Sequence, residues 1–283
     1  MYKLLDGKII SNKILEELKN KVEELKLKGK TITICDIVVG NDEASKVYVN
    51  NKKKKCEDIG INYIVKNFDK NVDESELLQF IKDKNNDKNT NAIFVELPLP
   101  KHIDENKVID AIDYRKDVDG FNIKNIGSLV SNKDCFKPCT ASGIYELLKS
   151  YNIDVKGKNC VVIGRSNIVG KPIANILLNN DATVTICHSK TKDIKLYSKF
   201  ADILIVAIGK PLYIDESYIK EGAIVIDVGI HRINIDGNTT ICGDVDFEKV
   251  KDHVEYITPV PGGAGAMTTA MFIKNCIDTL KYE

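Results

Sequence analysis

Apolar positions recur at helical spacing over residues 11–28, where Ile14, Leu15, Leu18, Val22 and Leu25 share one side and Gly29 marks a stop. Residues 31–39 form a β-rich apolar run ended by Gly40, 45–58 read as a helix closed by Gly60, and 61–68 as the next strand. A helix is predicted over 73–84, with Asp73 as its cap and Glu76 three residues on. Residues 92–97 read as a buried strand stopped by Pro98 and Pro100. Strands alternating with helices predict a parallel sheet between helical layers. After Pro138 and a helix over 141–151 the pattern restarts. Strands are expected over 160–164, 182–187, 202–208 and 223–228, with helices over 171–180 and near 193–199. This is a mononucleotide-binding βαβαβ arrangement. The tail over 267–280 is again helical, and could pack back on the first domain.

The chain has 283 residues, enough for two domains. At 43% hydrophobic and 29% charged it reads as a soluble globular protein. Lys plus Arg equals Asp plus Glu, so no nucleic-acid or membrane partner is called for. No signal peptide or membrane span is expected, which points to a cytoplasmic protein. Of the eight cysteines, Cys35, Cys160 and Cys187 lie in apolar runs and Cys56 in a helix, as core residues do. Cys135 and Cys139 lack a second Cys or His pair at zinc spacing, so no metal site is expected. In a cytosolic chain the cysteines read as thiols.

The strand Cys160-Val161-Val162-Ile163 runs into Gly164-Arg165-Ser166-Asn167-Ile168-Val169-Gly170-Lys171-Pro172. One glycine permits a sharp turn, a second opens the helix so that its amides face a phosphate, and Pro172 suits the first helical turn. The spacing is not G-x-G-x-x-G, and a strand-to-helix turn without a ligand fits the local sequence about as well. An NAD site usually has an acid at the end of the second strand. Here that strand ends His188-Ser189-Lys190-Thr191. Arg165 in the first turn and a hydroxyl at this position suit the 2′-phosphate of NADP, so NADP is the expected cofactor.

The lysine run 52–55 would ordinarily be a solvated face. At about 100° per residue, however, Tyr48, Val49, Lys52, Cys56 and Ile59 share one arc, which turns Lys52 inward. An inward lysine is costly unless paired or working, and a desolvated amine gives up its proton more easily. Tyr48 lies one turn earlier. Glu96 interrupts the run Ala92-Ile93-Phe94-Val95-Glu96-Leu97 near the strand's C-terminal end, where ligands bind in open α/β sheets and where a carboxylate could pair with Lys52. A structural ion pair would also explain both residues. Asp117-Val118-Asp119-Gly120 is a polar loop, and D-x-D-G alone usually means a turn. Thr258-Pro259-Val260-Pro261-Gly262-Gly263 is a rigid segment that could line a planar ligand or connect domains.

Taken in order, these segments resemble the bifunctional methylenetetrahydrofolate dehydrogenase/methenyltetrahydrofolate cyclohydrolase family. The resemblance is carried by Tyr48-Val49-Asn50-Asn51-Lys52, Val95-Glu96-Leu97-Pro98-Leu99-Pro100, Lys116-Asp117-Val118-Asp119-Gly120-Phe121 and Lys137-Pro138-Cys139-Thr140. It continues with Gly164-Arg165-Ser166 through Pro172, Cys187-His188-Ser189-Lys190-Thr191 and Thr258 to Gly263. It implies two α/β domains with an active-site cleft between them: a folate-binding catalytic domain over 1–138 plus the C-terminal helix 262–283, and a Rossmann-like NADP-binding domain over 139–261. It implies oxidation of 5,10-methylenetetrahydrofolate with NADP, then hydrolysis to 10-formyltetrahydrofolate, in one-carbon metabolism that feeds purine biosynthesis, by a homodimer. The implied catalytic set is Lys52 as general acid/base, Tyr48 stacking on the folate, Glu96, and Asp119 bonding the pterin. Leu97, Pro259, Pro261, Gly262 and Gly263 would complete the folate site. Gly164, Arg165, Ser166, Ser189 and Ile230 would hold NADP. The family usually has Gln where this chain has Glu96, and a carboxylate there favours the ammonium form of Lys52. A monofunctional dehydrogenase with weakened hydrolysis is the alternative. Asn122 stands where His is common.

Overall fold

The structure, a computed structural model, describes residues 2–40, 43–235 and 238–282. It divides into two compact units, Lys13–Cys139 with Phe272–Glu283, and Met1–Asn12 with Thr140–Met271.

The first unit carries a three-stranded parallel sheet of β2 (Thr33–Val39), β3 (Asn62–Phe68) and β4 (Ala92–Val95), in the order β3-β2-β4. Helix α2 (Glu43–Ile59) connects β2 to β3 and α3 (Glu74–Asn86) connects β3 to β4. Two short helices follow, α4 (Glu105–Ala111) and α5 (Ile123–Val130). As the central strand, β2 is covered on both faces, which is why it reads as an almost continuous apolar run. Alternation divides its side chains. Cys35 and Ile37, with Ile93 and Val95, pack on Leu77 and Ile81 of α3 and Val108 of α4. The register sets Asp36 beside Phe94 and Ile34 beside Tyr63, so these four share the opposite face.

Asp73 stands at the N-cap of α3, but its side chain makes no cap bond, and its carbonyl receives the Glu76 and Leu77 amides instead. The expected capping box is therefore absent. The short helices, which the periodicity did not reveal, are capped by side chains: Asp104 accepts from Asn106 and Lys107, and Asn122 from Lys124. Helix α1 (Gly7–Leu27) starts before the predicted residue 11, because Asp6 accepts from the Ile9 amide at 3.0 Å and extends the N-terminus beyond the periodic stretch.

The second unit is a six-stranded sheet in the order β1-β11-β8-β7-β5-β6, with every pairing parallel. Its strands are β1 (Lys3–Leu4), β5 (Asn159–Ile163), β6 (Thr183–Cys187), β7 (Ile203–Val206), β8 (Ala223–Asp227) and β11 (Val254–Ile257). Helices α6 (Cys139–Ser150), α7 (Gly170–Leu178), α8 (Lys195–Ser198) and α9 (Phe247–Val250) alternate with them. The antiparallel pair β9 (His231–Ile235) and β10 (Asn238–Cys242) stands apart. Val161, Ile163, Leu204, Val206, Val225 and Ile257 form one core layer. Helix α10 (Ala264–Asp278) ends the chain's regular helices. The four strands read from the sequence are present. The two outer strands β11 and β1 and the polar hairpin carry too little apolar pattern to be read in advance. Pairing of β1 with β11 draws the opening residues into this sheet.

Candidate active site

Helix α2 turns one lysine of its run inward. Lys52 is 4% exposed, while Lys54 and Lys55 are exposed. Its Nζ lies 2.6 Å from Glu96 Oε1 and 3.9 Å from Asp36 Oδ2. The ammonium stands 3.4 Å from the centroid of the Phe94 ring and 5.2 Å from that of Phe272, and the two rings meet edge to face. A buried ammonium needs a charged partner, and ring faces add electrostatic attraction without supplying a second acceptor. Glu96, just beyond β4 on the same side as Phe94, supplies that partner.

Behind the amine, the fully buried Asp36 receives the Tyr63 hydroxyl on Oδ2. Its Oδ1 has no hydrogen-bond partner among the described residues. Burial pushes the Asp36 carboxyl up to about 7, Lys52 opposes that rise, and the charge of Glu96 adds to it. Burial also drives the Tyr63 hydroxyl far above its ordinary range.

The D-x-D-G loop lies between α4 and α5. Asp117 is its internal anchor, accepting from Gly120 N at 3.1 Å, Asn122 N at 2.8 Å and Asn125 Nδ2 at 2.9 Å. Gly120 has φ +77°, and a Cβ there would meet the Lys137 carbonyl carbon at 2.7 Å. The anchored loop presents Asp119 to a small cavity also lined by Phe94, Leu97 and Phe121. Burial raises the Asp119 carboxyl to about 7, helped by Asp117 and opposed by Lys52. Asn122 does structural work: it caps α5 and donates to Ile112 O at 2.9 Å. Lys52, Glu96, Leu97 and Asp119 thus gather in the first unit. The Tyr48 side chain lies outside the described residues.

In the second unit, strand order reverses at β5, which has β6 on one side and β7 on the other. Gly164 follows β5 with φ +131°, and a Cβ there would lie 2.2 Å from Ala207 O. Gly170 opens α7 so close to this turn that its Cβ would meet Gly164 O at 2.3 Å. Ser166 Oγ accepts from the amides of Val169 and Gly170. Arg165, Ser166 and Ser189 are exposed beyond the ends of β5 and β6. The turn after β6 is closed by Thr191, whose Oγ1 accepts from His188 N and whose amide donates to His188 O. Ile230, 60% exposed, follows β8. The backbone cradle at a topological switch point fits a dinucleotide phosphate, and the cation and hydroxyls beside it fit a further phosphate.

The segment after β11 is folded on itself. Val260–Pro261 is a cis peptide, Gly262 has φ +108°, and a Cβ on Gly263 would meet Pro259 O at 2.5 Å. Lys8 N donates to Gly262 O at 3.0 Å, and Thr258 Oγ1 accepts from Asp227 N at 2.8 Å.

Several residues of these sites escaped the sequence reading. Asp36 interrupts the apolar run of β2 as Glu96 interrupts the next, and that interruption was the available signal. Tyr63, Phe94 and Phe272 look like ordinary core. Asp244 accepts from the amides of Ile208, Gly209 and Lys210 and pairs at 2.7 Å with His231 Nε2, joining loops that no local pattern connects.

The family model described as tetrahydrofolate dehydrogenase/cyclohydrolase, catalytic domain, matches residues 5–119, and that for the NAD(P)-binding domain matches 138–283. A relative called bifunctional protein FolD from Agathobacter rectalis is 55% identical over 281 residues, covering 99% of this chain and 100% of its own. The crystal structure of the bifunctional FolD enzyme of Campylobacter jejuni has a TM-score of 0.96 at 47% identity, over 100% of this chain and 99% of that one. The Trypanosoma brucei dehydrogenase-cyclohydrolase, solved with NADP cofactor and inhibitor, has a TM-score of 0.93 at 34% identity, over 99% and 98%. The names of the two solved structures carry both activities. The chain belongs to the tetrahydrofolate dehydrogenase/cyclohydrolase family.

Proposed function

We propose that this protein oxidises 5,10-methylenetetrahydrofolate to the 5,10-methenyl form with NADP, and then hydrolyses that product to 10-formyltetrahydrofolate. The observation that carries the reading is the enclosed Lys52 amine, 2.6 Å from Glu96 and over the Phe94 ring, in a chain of this family. A bound nicotinamide would supply the hydride acceptor. The bridging carbon lies between two nitrogens whose lone pairs stabilise the cation left behind, so the protein's share of that step is to hold the carbon in place.

Water then adds to the methenyl carbon and the ring opens. Lys52 takes up and returns the proton that moves in that step, and Glu96 holds its amine in place. Asp119 and Leu97 bind the pterin, with Tyr48 stacking on it. Pro259, Pro261, Gly262 and Gly263 take part in binding the folate. The Gly164 turn receives the dinucleotide, Ser166 and Ile230 border it, and Arg165 with Ser189 selects the 2′-phosphate. The catalytic part is assigned to 1–138 with 262–283 and the NADP-binding part to 139–261.

The protein works in the cytoplasm, in one-carbon metabolism that feeds purine biosynthesis, as a homodimer. No helix among the described residues is long and apolar enough to cross a membrane. The edge strand β6 carries Ile186, 40% exposed, which supports pairing with a second copy. The test is a spectroscopic assay of methylenetetrahydrofolate with NADP and with NAD, following methenyl formation and decay. Formation with NADP followed by enzyme-dependent decay is expected. Absence of either phase removes the corresponding activity.

A further inference from the structure

Asp36 is a fully buried carboxyl on the central strand of its sheet, with no path to a substrate except through its neighbours. Its Oδ2 takes the Tyr63 hydroxyl and lies 3.9 Å from Lys52 Nζ, on the side of the sheet that also holds Phe94. We propose that Asp36 is a positioning residue for the hydrolytic step: anchored by Tyr63, it fixes the Lys52 amine between Glu96 and Phe94. The inference rests on the reading of Lys52 as the acid/base.

The neighbourhood supports it. From α2, Lys52 and Cys56 face Asp36. Tyr63 faces it from β3 and Glu96 from beyond β4, and Cys35 is its chain neighbour. Burial raises the Cys56 thiol to about 12 and the Cys35 thiol to about 11, and it keeps the Tyr63 hydroxyl protonated, so none of these carries charge near neutrality. Lys52 and Glu96 remain as the charged neighbours. Because Asp36 is held up to about 7, its own charge appears within the working range. Ionised Asp36 attracts the ammonium from behind and holds it in place. The bond from Tyr63 favours the ionised carboxyl and aims Oδ2 at the amine.

The experiment is the pH profile of kcat for 5,10-methenyltetrahydrofolate hydrolysis without NADP, above the buffer rate. It compares the parent with Asp36→Asn, Tyr63→Phe and Lys52→Ala, each checked for folding by thermal melting. Asp36→Asn is expected to lower kcat and to remove the limb that follows the ionisation of Asp36, and Tyr63→Phe, which takes a bond from the ionised carboxyl, to move that limb to higher pH. Should Asp36→Asn fail to fold, Tyr63→Phe decides alone. Folded variants whose profiles coincide with the parent's, alongside a Lys52→Ala variant that has lost hydrolysis, overturn the role of Asp36 and leave that of Lys52 standing. Lys52→Ala with parental hydrolysis overturns both.

Discussion

Lys52 and Glu96 form a contact of 2.6 Å with side chains only 4% and 11% exposed, so the amine meets a carboxylate in a poorly hydrated setting. An adjacent carboxylate stabilises the ammonium. Hydrolysis, which moves a proton through that amine, should therefore depend on Glu96 more than hydride transfer does. In Glu96→Gln, the residue the family usually carries, hydrolysis at neutral pH should rise while oxidation changes less. Equal changes in the two steps would count against this.

Lys52→Ala should lower methenyl hydrolysis by roughly 10²–10⁴-fold, the usual contribution of a positioned acid/base. It also leaves Glu96 and Asp36 facing each other without a cation, a loss of about 3–5 kcal/mol when both are ionised. Denaturant unfolding at two pH values should show a smaller loss on the acid side, where Asp36 is protonated.

Arg165→Ala should reduce kcat/KM for NADP by about 10–100-fold and change that for NAD little, since a charge-assisted bond to the extra phosphate is removed. An equal loss with both dinucleotides would mean that Arg165 does not read the 2′-phosphate.

Gly164→Ala places a methyl 2.2 Å from Ala207 O at a φ of +131°. Strain of about 1–3 kcal/mol is expected from the backbone conformation, with the collision adding to it. Both a lower melting temperature and weaker NADP binding should follow. A variant with parental melting and binding would show that the turn relaxes freely.

Asp36, Asp119 and Asp227 are each held near 7, chiefly by burial. In the unfolded chain they titrate near ~4. Between these limits the folded state binds more protons, so stability falls as pH rises from ~4 to ~7 and levels off above, by about 1.4 kcal/mol per pH unit for each excess proton. Thermal melting at about pH 5.5 should thus exceed that at about pH 8, and Asp227→Asn should flatten the slope. A melting temperature that climbs toward alkaline pH would contradict the assignment of these groups.

The inward turn of Lys52 was legible because a helix has one period and the residues flanking it in space follow from spacing alone. Glu96 was legible as a polar break in a short apolar run. Asp36 makes the same kind of break, yet its meaning depends on lateral register, Asp36 beside Phe94 and Ile34 beside Tyr63, which no single segment contains. The four strands 160–228 stood out as buried runs. The two-residue β1 and the polar β9–β10 hairpin carry almost no pattern of burial. Asp104 and Asn122 mark helices too short for periodicity, which their capping bonds define instead.

The bonds made by Asp244 limit where an anion can dock. The amides of Ile208, Gly209 and Lys210, at the mouth of the neighbouring strand, all point at this one carboxylate. They are committed to an internal acid and cannot also grip an incoming diphosphate. The docking donors are thereby confined to the opposite lip of the crevice, where β5 gives way to α7, and one interior side chain decides which lip that is.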